Sequence, residues 1–320
     1  MLGLWTKTEM FDPNKDIPDL SDRIFFVTGG SDGLGYETVL QLANHSPRKI
    51  YLACRSAEKT THAIARIVER VKTETGNDVS SKLTHIPLDL SSFASIQNAA
   101  KTFLQKEPTL NVLMNNAGIM CVPPTTTEEG FEIQFGVNHM GHALLTRLLL
   151  PALKNAIGVG QDARVVTLAS SSEAQSPAEG LRLDVVRSAM ANFDNWHRYG
   201  QSKLANVLYT RALAERYPDV TFVSLHPGVV KTGLSTPFLS SWSWQVPFVW
   251  LIMWSQWVTP YRGAWGQEWL ATTEKKNLKN GAFYYPIQRI ASGSANAQSK
   301  ELADKLWQWT QKELDATATD

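Results

Sequence analysis

Six short, uniformly apolar runs recur along the chain, and a stretch with helical spacing follows most of them. They fall at residues 24–27, 50–53, 84–88, 112–114, 164–168 and 221–225, with a seventh at 282–285. Runs this brief and this apolar suit strands buried on both faces of a parallel sheet. Between them, apolar residues take the helical period. Ile64, Ile67, Val68 and Val71 recur among charged residues, after Ser56 as a start and before Gly76 as a stop. Ser91 predicts the cap of a helix over 92–107, which Pro108 ends. A longer pattern over 128–150 meets Pro151, and another over 195–217 meets Pro218. Pro87 weakens the third strand run. The alternation predicts an α/β fold: a doubly wound parallel sheet of about seven strands with helices on both faces. No repeat and no linker divides the chain, so residues 1–320 read as a single domain.

Composition narrows the function. With 31 basic and 30 acidic residues the net charge is +1. So balanced a chain lacks the field that grips a phosphate backbone, which argues against nucleic-acid binding. Two cysteines, Cys54 and Cys121, do not make a disulfide scaffold, and no His/Cys cluster has metal-ligand spacing, so no metal is expected. The first residues do not read as a signal peptide, which predicts a reducing, cytoplasmic setting. Tryptophan is the anomaly: seven of 11 lie between Trp242 and Trp269.

The first strand run ends in Thr28-Gly29-Gly30-Ser31-Asp32-Gly33-Leu34-Gly35, and a helical pattern follows. Gly29 permits a tight turn, Gly33 close approach to a pyrophosphate, and Gly35 close packing of helix on strand. The helix N-terminus then offers free N–H groups to phosphate. The turn therefore predicts a dinucleotide site, with Gly29, Ser31, Gly33, Leu34 and Gly35 around the phosphates. The end of the second run selects the dinucleotide. An acid there would favour NAD, but Arg55 stands 20 residues past Gly35, with Lys59 one turn beyond, which favours the 2′-phosphate of NADP(H).

Tyr199 and Lys203 are four apart in a predicted helix and share a face. An ammonium beside a phenol favours the phenolate and fits Tyr199 for proton transfer. Alone such a pair is common. Here it joins an ordered set: the glycine turn, Asn115-Asn116-Ala117-Gly118, Ser170, the Tyr-Lys pair and Pro227-Gly228. Over residues 17–232 this set resembles the short-chain dehydrogenase/reductase family. The segments VNHMGH at 137–142 and RYGQSKLAN at 198–206 look most like the branch with retinol dehydrogenases, WW-domain oxidoreductases and fungal secondary-metabolism reductases.

The resemblance implies a Rossmann-type fold and a role for each matching residue. Tyr199 would be the acid/base and Lys203 its partner, which also bonds the nicotinamide ribose. Ser170 would polarise the substrate oxygen, with Ser171 as the alternative, and Asn138 would hold a water in the proton relay. Asp89 and Leu90 would pack the adenine. Asn116, Ala117 and Gly118 would line the ribose, while Asn115 ties neighbouring strands. Val230 and Thr232 would meet the carboxamide and pyrophosphate. His139, His142, His197 and His226 read as packing or loop residues.

Two segments depart from the compact family pattern. Residues 173–194 lengthen the span between Ser170 and Tyr199 to 29 positions and read as a rim of the substrate mouth. Residues 238–258 hold no charge and many aromatics, and read as a substrate lid. Contact of that run with the surface of an intracellular membrane stays open. Two Gln, four Ser and Pro247 argue against a spanning helix. The chain thus reads as an NADP(H)-dependent oxidoreductase that interconverts hydroxyl and carbonyl on an apolar small molecule. A homo-oligomer is open. The alternatives are a catalytically silent NADP-binding regulatory or scaffold protein, and a nucleotide-sugar epimerase or dehydratase.

Overall fold

The computed structural model describes residues 11–230 and 257–316. Thr232 and residues 238–256 of the tryptophan-rich run lie outside the described residues.

The strands are β1 Ile24–Thr28, β2 Lys49–Cys54, β3 Leu83–Pro87, β4 Val112–Asn115, β5 Arg164–Leu168, β6 Thr221–Leu225, β7 Val229–Val230, β8 Trp257–Val258, β9 Phe283–Tyr285 and β10 Arg289–Ala291. Eight of them form one sheet in the order β10-β9-β6-β5-β4-β1-β2-β3, parallel except for β10. The small β7–β8 pair stands apart. Alternate residues of each strand face opposite layers. Phe26, Tyr51, Leu113, Val165 and Phe222 join one apolar cluster, and Phe25, Ile50, Val112, Val166 and Val223 the other. Both faces are therefore covered, which is why the strand runs lack polar alternation.

The helices are α1 Pro13–Asp16, α2 Gly33–Asn44, α3 Ala57–Thr75, α4 Phe93–Leu104, α5 Ile133–Phe135, α6 Gly141–Gly158, α7 Asn195–Arg216, α8 Pro260–Thr272, α9 Ala295–Gln298 and α10 Lys300–Ala316. Helices α2, α3 and α8 supply the second cluster, and α4, α6, α7 and α10 the first. The chain runs outward from β1 to β3, then returns to place β4 against β1. The crevice at the carboxyl ends of β1 and β4 is the switch point where such sheets bind ligands.

Several expectations change. The sheet has eight strands, because β10 adds a hairpin strand whose Arg289 and Ile290 are exposed, so no apolar run marks it. Its turn uses Ile287 and Gln288 at positive φ, without the Asn-Gly pair that would flag it. Pro87 is accommodated because β3 is an edge strand, where a missing N–H costs no ladder bond. Helix α4 is capped by Ser92; Ser91 instead donates its hydroxyl to Asp89 Oδ1 at 2.6 Å. The long helix does not start at Glu128. Gly130 at φ +84° turns the chain, Glu132 caps α5, and the helix then continues through an exposed Pro151 to Gly158. Its apolar face, with Leu149, Ala152, Leu153 and Ala156 buried, holds it across the proline. Segment 173–194, expected as a rim of the substrate mouth, sends Leu181, Val186 and Met190 into the first cluster.

Candidate active site

The turn after β1 is set by backbone geometry. Gly29 and Gly33 have φ of +68° and +54°, a region that disfavours side chains. A Cβ at Gly35 would lie 2.2 Å from Gly29 O and 2.6 Å from Asn116 Nδ2, so α2 meets the strand only through a glycine. Asp32 caps α2 by accepting Gly33 N–H at 2.7 Å. Ser31 is half-buried in the turn.

Strand β4 is bolted to this turn by Asn116. Its Nδ2 donates to Thr28 O at 2.8 Å, and Thr28 Oγ1 accepts the N–H groups of Asn116 and Ala117 at 3.0 and 2.9 Å. The residue expected to tie neighbouring strands was Asn115, but Asn115 Nδ2 reaches Thr146 Oγ1 of α6 at 3.1 Å. The exchange follows from the strand end: Asn115 still points into a layer, whereas Asn116 has turned across the sheet edge. His142 backs the same hydroxyl, with Nε2 3.0 Å from Thr28 Oγ1 and Nδ1 3.1 Å from Asn138 O. Burial holds His142 neutral by pulling its pKa to about 4. Its single N–H therefore goes to the carbonyl, and Thr28 donates to Nε2.

Other candidates for the cofactor ring this crevice. Arg55 is exposed at the end of β2 and no described residue pairs with it. Asp89 holds Ser91, and Leu90 packs on Gly141, where a Cβ would lie 2.6 Å from Leu90 O. Val230 and Leu34 meet over Gly263, whose Cβ would sit 2.5 and 2.9 Å from their methyl groups. Gln267 of α8 completes the brace by donating to Thr38 and, at 3.3 Å, to Asn116 Oδ1.

The second half of the site stands on β5 and α7. Asp194 caps α7 through the N–H groups of Trp196 and His197. Tyr199 and Lys203 share the helix face turned to the sheet, and both are buried. The Ser170 side chain lies close enough to the Tyr199 hydroxyl to pull its pKa down. Ser171 instead lies 3.4 Å from His226 Nε2, so Ser170 is the serine that faces the phenol. Lys203 Nζ donates to Leu168 O at 3.0 Å, stands 5.7 Å from the centre of the Tyr199 ring, and shares that carbonyl with Asn206 Nδ2. Gly118 closes over it, since a Cβ there would lie 3.5 Å from Lys203 Nζ.

Desolvation sets the electrostatics. Burial pulls the Lys203 amine down to about 8. It also pushes the Tyr199 phenol above its ordinary value, against the pull of Ser170. Desolvation of the buried anion dominates at that phenol, and Lys203, expected to lower it, is not among the groups that act on it.

Asn138 lies in a short π-helical turn, Gly136–Met140. Its side chain is fully engaged: Oδ1 accepts Ile119 N–H at 2.9 Å, and Nδ2 donates to Ile119 O at 2.9 Å and Ser202 Oγ at 3.0 Å. It braces the loop after β4 against α7. Such π turns cluster at functional sites.

Three site residues escaped the sequence reading. A Cβ on Gly200 would lie 2.6 Å from the Gln175 carbonyl carbon, so this glycine lets the turn after Ser170 lie against the helix of Tyr199. The indole of Trp196 stands edge-on to the Tyr199 ring at 6.2 Å. Cys121, at φ +52°, lies close enough to Tyr199 to influence it electrostatically. Helical spacing from Tyr199 could have flagged Trp196; nothing in the sequence marks the other two. Among the described residues no group of His, Cys, Asp or Glu could hold a metal ion.

A switch-point crevice with a glycine turn on one side and a buried Ser-Tyr-Lys group on the other defines a class of α/β oxidoreductases. The family model described as short chain dehydrogenase matches residues 23–181. A short-chain dehydrogenase/reductase from Armillaria gallica is 35% identical over 312 residues, 94% of this chain and 95% of its own. Retinol dehydrogenase 11 from Mus musculus is 36% identical over 291 residues, 90% of this chain and 85% of its own. In fold, the chain is similar to an NADPH-bound carbonyl reductase from chicken fatty liver, with a TM-score of 0.61 and 22% identity over 84% of this chain and 98% of that one. The chain belongs to the short-chain dehydrogenase/reductase family.

Proposed function

We propose that this chain is an NADP(H)-dependent oxidoreductase that interconverts a hydroxyl and a carbonyl on an apolar small molecule, with Tyr199 as acid/base. The observation that carries the reading is the meeting of Ser170, Tyr199 and Lys203 beside the glycine turn. The turn fits a dinucleotide, since Gly35 leaves no room for a side chain and the α2 N-terminus opens there. Arg55, exposed and paired with no described residue, suits a 2′-phosphate. Gly29, Ser31, Gly33, Leu34 and Gly35 would hold the phosphates, Asp89 and Leu90 the adenine, and Asn116, Ala117, Gly118 and Val230 the nicotinamide end. When bound, the cofactor supplies the hydride.

The chain's own residues handle the proton. Burial keeps Tyr199 protonated, so the phenol is poised to donate to a carbonyl oxygen as that oxygen gains charge. Ser170 donates a second hydrogen bond to the same oxygen. Lys203, fixed on Leu168 O, sits behind the phenol and stabilises the charge it acquires. Trp196 gives the mouth an aromatic wall, and the mouse relative is named for retinol, an apolar alcohol. Residues 1–320 are read as one domain in a cytoplasmic setting. Among the described residues no helix is long and apolar enough to cross a membrane.

NADPH oxidation against a panel of apolar aldehydes and ketones tests this reading. Tyr199→Phe is expected to lower turnover by about 1,000-fold while NADPH binding stays intact. Wild-type protein that binds NADPH and turns over nothing favours the silent regulatory reading, and a Phe variant with near-normal turnover refutes the mechanism.

A further inference from the structure

The residue before Tyr199 is a buried arginine. Arg198 and Glu132 are 1% and 0% exposed and pair at 2.9 Å, far from the solvent that usually hosts such charges. Arg198 does not end there. Its second nitrogen donates to Val122 O at 3.0 Å and to Asn195 Oδ1. Glu132 in turn caps α5 by accepting Phe135 N–H at 2.7 Å, and its own N–H donates to Val186 O at 2.7 Å. Four segments meet on this one ion pair: the loop after β4, the start of α5, segment 173–194 and the first turn of α7.

What the pair holds is a strained loop. Cys121 adopts φ +52°, a conformation uncommon outside glycine. Two hydrogen bonds pin it. Its N–H donates to Gln134 Oε1 at 2.7 Å, and the next carbonyl, Val122 O, takes the Arg198 fork. Gln134 is tied to the same helix by a bond from Nε2 to Asn195 O at 3.4 Å. A buried ion pair contributes little net stability, because desolvation offsets the attraction. Its value here is direction: a planar fork that reaches a carboxylate, an amide oxygen and a backbone carbonyl together.

We propose that Arg198 and Glu132 are positioning residues that clamp the 121–122 loop against Tyr199, so that this loop forms a fixed wall of the substrate site. The assignment rests on the proposed function for its kinetic arm only. Lysine at 198 keeps the charge but offers a point donor that cannot span all three acceptors. The clamp opens, the loop relaxes, and substrate no longer sits squarely under the phenol.

Two thiols make the test independent of turnover. Cys121 and Cys54 are both free and buried. In Arg198→Lys, alkylation of Cys121 by iodoacetamide, read by peptide mass spectrometry, is expected to speed up about tenfold while Cys54 is unchanged, the mark of local opening. In the same variant kcat/KM for a reduced carbonyl is expected to fall about tenfold or more, with the NADPH dissociation constant within about twofold. The double variant Arg198→Met with Glu132→Leu removes the buried charges together, which guards against a variant that fails to fold. It is expected to keep the wild-type melting temperature and the fast Cys121 labelling. Equal acceleration at both thiols, no acceleration at either, or slow Cys121 labelling in the double variant overturns the proposal. Wild-type protein that reduces no carbonyl would sink the proposed function, while the labelling would still decide the clamp.

Discussion

Around Thr28 the site is made of backbone: glycines at positive φ, N–H groups at the start of α2, and one exposed arginine. Around Tyr199 it is made of buried side chains drawn from three segments: Ser170 after β5, Asn138 of the π turn, and Ser202, Lys203 and Asn206 of α7. Both halves serve one crevice, yet they depend on different things. The turn needs the absence of atoms, and a short stretch of chain supplies it. The proton-handling half needs polar atoms with no water around them, so every one must find a partner from elsewhere in the fold. The two constructions touch at the loop after β4, where Ala117 lies against Gly29 and Gly118 against Asn138 and Lys203.

The comparison breaks most cleanly at Gly200. A methyl there would press on the backbone of Gln175 and Ser176 at 2.6–2.8 Å, and backbone does not step aside cheaply. Ser170 would move off Tyr199, while the glycine turn lies outside the disturbed contacts. Gly200→Ala is expected to lower kcat about 100-fold and leave the NADPH dissociation constant within about twofold. Loss of NADPH binding in step with kcat would show the halves to be one structure. Arg55→Asp probes the other side with a smaller effect. Losing a charge-assisted contact and adding repulsion should lower the ratio of NADPH to NADH efficiency by at least about tenfold. The maximal rate with saturating NADH should then match wild type, and an unchanged ratio would remove Arg55 from the cofactor site.

The same contrast explains what could be read from the chain. The glycine turn was legible because its requirement is local: spaced glycines between an apolar run and a helix. Tyr199 and Lys203 were legible because four residues make one helical turn. The doubly wound parallel sheet followed from alternation, though not its edge strand β10, which hides in the exposed Arg289 and Ile290. Asn116 and Asn138 stand out in the sequence, but their bracing contacts with Thr28 and Ile119 are set by packing across the crevice and leave no local mark. Gly200 and the Arg198–Glu132 pair left no local trace at all. The glycine resembles any other in a helix, and a buried ion pair separated by 66 residues has no spacing rule to announce it.

The finest separation of the two halves comes from pH. Burial pulls Lys203 down to about 8, so it loses its proton as pH rises through that value. Below it the ammonium supports charge on Tyr199; above it the support is gone. The protonated fraction falls about twofold between pH 7 and pH 8 and about tenfold by pH 9. The carbonyl-reduction rate at saturating NADPH should follow that curve downward. The backbone N–H groups of the turn have no proton to lose in this range, so phosphate binding there should stay level. Lys203→Arg replaces the titrating amine with a group that stays charged. Whatever activity that variant retains should therefore be flat from pH 7 to pH 9. A wild-type profile already flat across that range, or a variant that keeps the same inflection, would place the controlling proton on some other group than Lys203.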